Sequence, residues 1–194
     1  MSDFSPSGVA PTKPAMRAVL LAARRAVPPA ERRRRDGAIA AALAPLVRRR
    51  AVAGFVPTPG EPSAFGAFPD AESLLLPVLR TDLDLDWGAF AGVEALVAGR
   101  YGLREPAGAR LGVEAVLGVS LLVVPALAVG RDGTRLGRGG GSYDRVLARV
   151  GGTVPALAVV DADEVLDALP AEPHDRPVDG YVTPLGVTWL RAAP

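Results

Sequence analysis

Apolar and polar positions change period several times along the chain. Over 12–27, Met16, Val19, Leu20, Ala23 and Val27 recur at three- and four-residue spacing. That spacing predicts a helix, capped by Thr12, with Pro14 tolerated in its first turn. A second helical pattern covers 29–50, with Ile39, Leu43, Leu46 and Val47 as its apolar stripe and Pro45 as the point where it would bend. Within it, the run RRRR at 32–35 has two readings, an anion site or a solvated helix face, and the second is the expectation. Short, continuously apolar runs follow: AVAGFV (51–56), SLLLPVL (73–79), VSLLVV (119–124) and TVPALAVV (153–160). Such runs predict strands covered on both faces. GVEALVAG, GVEAVLG and other helical or loop segments separate them. The alternation predicts an α/β fold: a layered, mostly parallel sheet flanked by helices, Rossmann-like. No repeat or linker divides the chain. The expected layout is a disordered tail over 1–11 and one domain over 12–194.

Composition narrows the chemistry. Of 194 residues, 49% are apolar and only 5% aromatic, so the core must be built mainly from Ala, Val and Leu. A formal net charge of +1 does not point to nucleic acid. Lys13 is the only lysine among 22 cationic side chains, so single arginines carry little information. The absence of cysteine removes disulfides, thiolate metal sites and thiol catalysis, and the single histidine, His174, cannot build a zinc site alone. No apolar run approaches the length of a membrane span, and residues 1–11 lack a signal-peptide pattern, so a cytoplasmic protein is expected.

The segment RLGRGGGSYDRV (135–146) carries the sharpest signal. It lies between a buried-strand pattern and SYDRVLARV, a helical pattern. A glycine-rich connection from strand to helix is a phosphate-binding geometry: the bare backbone allows close approach, and the helix N-terminus favours an anion. Arg135 and Arg138 would add charge-assisted bonds. The common named loops do not fit. The dinucleotide pattern GxGxxG meets Ser142 at its third glycine, the Walker pattern needs a lysine, and the hydrolase elbow GxSxG meets Asp144 at its last position. A flexible turn is the alternative.

GTRLGRGGGSYDR (133–145) resembles the signature of the 5-formyltetrahydrofolate cyclo-ligase family, the 5,10-methenyltetrahydrofolate synthetases. Three more segments resemble family motifs in the expected order: KPAMR (13–17), PGEPS (59–63) and HDRPVDGYVTP (174–184). The resemblance implies ATP-dependent closure of 5-formyltetrahydrofolate to 5,10-methenyltetrahydrofolate, with ADP and phosphate released and Mg²⁺ as cofactor. It implies ATP binding by Lys13, Arg17, Arg135, Leu136, Gly137, Arg138, Gly139, Gly140, Gly141, Ser142 and Tyr143. Arg138 and Tyr143 would be catalytic, Glu61, Arg80 and Tyr143 would bind the folate, and Asp144 and Asp175 would hold the metal. A monomer acting on ATP and 5-formyltetrahydrofolate, with no nucleic acid or membrane partner, is expected.

The residues themselves leave bland alternatives beside these roles. Lys13 and Arg17 lie one turn apart at the positive end of a helix dipole, where cations are disfavoured. They are either site residues or two solvated charges. Asp144 equally suits a first-turn carboxylate that stabilises its helix. His174 is read as structural, since sequence neighbours rarely form a base and its orienter. Trp87 is either a stacking platform or core. Ser142 stands where the family usually has an aromatic, and Pro-Ser follows Glu61, so the sequence departs from the pattern on the folate side. The alternative readings are a divergent relative acting on another formylated or pterin-like metabolite, and a non-catalytic nucleotide-binding module.

Overall fold

The computed structural model describes residues 12–191. The expected tail over 1–11 lies outside the described residues. The described residues open with two helices, α1 (Lys13–Ala26) and α2 (Pro29–Val47). Twelve strands follow: β1 (Ala51–Ala53), β2 (Ser73–Leu79), β3 (Leu85–Ala89), β4 (Leu96–Ala98), β5 (Arg104–Pro106), β6 (Leu121–Pro125), β7 (Ala128–Gly130), β8 (Arg135–Leu136), β9 (Ala156–Val159), β10 (Val165–Leu166), β11 (Gly180–Thr183) and β12 (Gly186–Trp189). A third helix, α3 (Ser142–Val150), lies between β8 and β9.

Seven strands form the main sheet in the order β12-β11-β9-β6-β1-β2-β3. The five inner strands are parallel, and β12 and β3 close the two edges antiparallel. This is the mostly parallel, helix-flanked α/β arrangement expected. Each of the four long apolar runs contributes an inner strand, although AVAGFV pairs only over its first three residues. Period-two alternation explains the layering. In β6 and β9, Leu121, Val123, Leu157 and Val159 face the cluster holding Ile39, Leu43 and Val47 of α2. Their alternates, Leu122, Val124, Ala156 and Ala158, face Val146, Leu147 and Val150 of α3.

A smaller sheet, β10-β7-β8, carries α1. Met16, Leu20 and Leu21 pack against Leu127, Ala128, Leu136 and Leu169, whereas Val19, expected in the stripe, is largely exposed. The third sheet is the antiparallel pair β4-β5. Helix α2 continues through Pro45 but stops at Val47, short of the expected end, because Arg48 already pairs with Ala71 at the entry to β1. The segments GVEALVAG and GVEAVLG form 3₁₀ turns, Val93–Ala95 and Val113–Gly118, and the first runs on into β4. Trp87 is fully buried in the core, so stacking on a ligand is not its role. The arginine run is not a uniform solvated face. Arg33 and Arg34 are exposed, while Arg32 and Arg35 are partly buried on the inner side.

Candidate active site

In parallel α/β sheets, ligands bind beyond the carboxyl ends of the strands, where the chain order reverses. From β1 the chain builds outward through β2 and later returns to place β6 on the other flank, so the reversal falls between β1 and β6. A cavity of about 600 Å³ lies there, lined by the segments that follow these strands, including Phe55, Thr58 and Glu61 after β1 and Ala126 after β6.

The glycine loop forms one wall. Leu136 ends β8, and five residues later Gly141 caps α3. Gly139 and Gly141 have φ of +100° and +71°, a region that residues with a Cβ rarely occupy. At Gly139 the contact is also close, because a Cβ there would lie 3.3 Å from Cζ of Arg17. Arg17 donates from Nε to the Gly137 carbonyl at 2.9 Å. The small sheet explains how this happens: α1 packs on the same β7-β8 ribbon that feeds the loop, so residues 120 positions apart in sequence meet.

Four acids and the cations beside them line the cavity as ion pairs. Lys13 Nζ lies 2.7 Å from Asp175 and 3.5 Å from Glu172. Burial pushes the Asp175 carboxyl up, but hydrogen bonds from Lys13 and the Glu172 amide outweigh it and hold the pKa below the usual value. Arg135, buried, donates from Nη2 to Asp144 at 2.9 Å. Arg138 donates from Nε to Glu61 at 3.0 Å and from Nη2 to the Thr58 hydroxyl at 2.9 Å. Glu61 also accepts from the Thr58 amide at 2.7 Å, so its carboxylate is held by its own loop as well as by the glycine loop. Tyr143 packs on both core clusters while facing the cavity. Burial, reinforced by the negative charge of Glu61, pushes its phenol well above the usual range, so it stays a hydroxyl at neutral pH.

The structure therefore brings together Lys13, Arg17, Glu61, Asp175 and every named residue from Arg135 to Asp144. It does not bring Arg80. That side chain pairs with Asp82 on the exposed β2–β3 turn and is absent from the cavity wall, because the hairpin turns the chain away before the side chain can reach inward. A model of the 5-formyltetrahydrofolate cyclo-ligase family matches residues 9–184, nearly the whole chain.

The chain belongs to that family.

The cyclo-ligase of Mycolicibacterium smegmatis is 40% identical over 191 residues, which cover 93% of this chain and 98% of that protein. The 5,10-methenyltetrahydrofolate synthetase of Aquifex aeolicus superposes with a TM-score of 0.78 at 30% identity, covering 94% of both chains. The synthetase of Mycoplasma pneumoniae shares the fold, with a TM-score of 0.67 at 19% identity over 89% of this chain and 98% of that one.

Within this cyclo-ligase-family chain, the sequence reading missed several wall residues. Thr58 had a signal, since it sits three residues before Glu61 in the same proline-rich loop. Tyr101 had a weaker one. It is an aromatic followed by Gly102, 76% exposed and held at φ +54°, on the wall of the cavity between β4 and β5. Glu172 had none beyond its place two residues before His174. With His174 and Asp175 it forms, among the described residues, a group whose ligating atoms lie within 4.8 Å of one another. His174 itself is mostly exposed, 3.3 Å from Glu172.

Proposed function

We propose that the protein closes 5-formyltetrahydrofolate to 5,10-methenyltetrahydrofolate at the expense of ATP, at this cavity. Identity of 40% with a cyclo-ligase along nearly the full length of both chains supports the reading. The observation that carries it is local: the 137–141 loop, Lys13, Arg17 and Glu61 line one cavity of about 600 Å³.

The chemistry follows from the leaving group. The oxygen of an N-formyl group cannot depart unaided. Attack of that oxygen on the γ-phosphorus breaks the bond to ADP and makes the oxygen part of a phosphate ester. N10 then attacks the formyl carbon, phosphate leaves with the former formyl oxygen, and N10 gives up its proton. No covalent enzyme nucleophile is needed, which suits a chain with no cysteine and one histidine. The protein's part is positioning and charge neutralisation.

In this reading the amides of the glycine loop at the start of α3 face the phosphates, with Leu136 and Ser142 bounding the loop. Lys13, Arg17 and Arg138 supply positive charge around them. Arg135 acts from beneath, through its ion pair with Asp144. Tyr143, kept protonated, offers a hydroxyl donor where the two substrates meet. Glu61 presents a carboxylate that suits the adjacent N–H donors of a pterin. Magnesium fits the donor set: Asp144, Glu172 and Asp175 place hard carboxylate oxygens on the cavity wall beside a phosphate loop. When bound, the ion would draw charge from the phosphate oxygens, and Asp144 and Asp175 would hold it. The reading includes a monomeric cytoplasmic enzyme, and no helix among the described residues is long and apolar enough to cross a membrane.

Ring closure changes near-ultraviolet absorption. Purified protein with 5-formyltetrahydrofolate, ATP and Mg²⁺ is expected to show that change together with ADP release, and to show neither when ATP is omitted. ATP binding with no spectral change would overturn the reading in favour of a non-catalytic nucleotide module.

A further inference from the structure

The loop that carries Glu61 closes one turn of its own, in which the Glu61 amide donates to the Thr58 carbonyl at 3.0 Å and the Thr58 amide to the Glu61 carboxylate at 2.7 Å, but little beyond that turn shapes it. Over 57–63 it reads PTPGEPS, so three of its residues lack an amide N–H, and a fourth, Gly60, sits at φ +89°. It follows the short strand β1 and precedes the 3₁₀ turn Phe65–Asp70, with no sheet partner of its own. Backbone groups on both sides of Glu61 are instead held from behind by α2. Arg32 donates from Nη1 to the Gly60 carbonyl at 3.0 Å, one residue before Glu61. Asp36 accepts from the Ser63 amide at 2.8 Å, two residues after it. Arg32 and Asp36 lie one helical turn apart on the same face of α2, and burial pushes the Asp36 carboxyl above its usual value, opposed by the Ser63 amide and then by the charge of Arg32.

Arg32 has a second partner. Its Nη2 donates to the carbonyl of Arg24, near the end of α1. The guanidinium therefore bridges the helix that bears Lys13 and Arg17 to the loop that bears Glu61. Neither Arg32 nor Asp36 lines the cavity. Their neighbours in the arginine run, Arg33 and Arg34, point to solvent and make no comparable contact with the loop.

We propose that Arg32 and Asp36 are positioning residues that set the Glu61 carboxylate for the folate substrate. This rests on the reading that Glu61 contacts the folate. A carboxylate that must meet two ring donors at once tolerates little displacement, and small misplacements at a reacting pair are costly in rate. Removing either clamp frees the loop on one side of Glu61, while Lys13 keeps its bond to Asp175 and Arg17 its bond to the glycine loop.

The test is steady-state kinetics on the full chain, with each substrate varied in turn. Arg32→Ala is expected to raise the KM for 5-formyltetrahydrofolate roughly tenfold while the KM for ATP stays within about twofold. Arg32→Lys, which keeps one donor for Gly60, is expected to recover part of the loss. Asp36→Ala removes the other clamp and should show the same split, and Asp36→Asn, which keeps an acceptor for Ser63, should restore it. The Asp36 pair keeps the idea open to refutation if Arg32→Ala fails to fold. Glu61→Gln is the reference. If it leaves the folate KM unchanged, the assignment of Glu61 fails, and the clamp's purpose with it. If it raises that KM but the clamp variants do not, the positioning proposal alone is overturned. A double-mutant cycle decides the route: Arg32→Ala should add little in the Glu61→Gln background, and full additivity would overturn action through Glu61. A loss of turnover with both KM values unchanged would mark a merely structural role.

Discussion

Glu31 sits in the first turn of α2 between two guanidinium groups. Arg34 donates to its carboxylate at 2.7 and 2.8 Å, and Arg35 at 2.8 Å. These hydrogen bonds, that of Arg34 foremost, hold its pKa at about 2 instead of 4.5. A carboxyl depressed in the folded state adds stability above its ordinary pKa and loses it as pH falls through the folded value. The stabilisation is therefore complete above about 4.5 and gone below about 2. Because the group is at the surface, salt should weaken the effect. Acid unfolding followed by circular dichroism should show Glu31→Gln losing part of the decline across that window at low salt, with the difference shrinking in high salt. The sequence could not sort its arginines by role. Arg24 and Arg135 are buried, Arg34 is a surface partner, and Arg32 reaches two carbonyls, yet all four are the same letter in an arginine-rich chain.

At the scale of an element, the loop into α3 is the most specified part of the chain. Its glycines differ in what they require. Gly139 combines positive φ with Arg17 packed against it, whereas a Cβ at Gly140 would meet only Ser142 Oγ at 3.7 Å. Gly139→Ala is expected to cost on the order of 1–3 kcal/mol in backbone strain and to raise the KM for ATP as Arg17 gives way. Gly140→Ala should unfold much closer to wild type. Denaturant titration and ATP-dependent kinetics on both variants check this, and equal destabilisation by the two would refute it. The loop was legible because its constraint is local: a strand-to-helix bend built from bare backbone shows in composition. Arg80 was misplaced for the opposite reason. Its place in the string, just after a strand, is compatible with the cavity, and only the direction of the hairpin turns it away.

Across the whole molecule, a buried ion pair adds to the apolar packing that holds α1 in place. Arg24 meets Glu164 through two hydrogen bonds, at 2.6 and 2.8 Å, and also donates to the Ala126 carbonyl at 2.6 Å. Glu164 accepts in turn from the Asp161 amide just beyond β9, so the pair joins α1 to the end of the central sheet. Breaking one side leaves an uncompensated buried charge, and Glu164→Gln is expected to lose about 3–5 kcal/mol of stability. Replacing both partners with apolar residues, Arg24→Met with Glu164→Leu, should recover most of that loss. Urea unfolding of the three proteins tests it, and a double variant as unstable as the single one would refute the account.

The sequence by itself determined the fold class, four of the five inner strands, most of the helical stripes and the identity of the glycine loop. Each of these depends on neighbours within a few residues, through apolar period or backbone freedom. Tertiary structure alone decided that Lys13 would meet Asp175, 162 positions away, that Arg17 would lie under Gly139, and that Thr58, Tyr101 and Glu172 would share the wall. It also decided that part of an arginine run would face inward. Those outcomes depend on which strand lies beside which and on how α1 packs against the small sheet. No local period encodes that, because contacts between distant segments are settled only when the whole core closes.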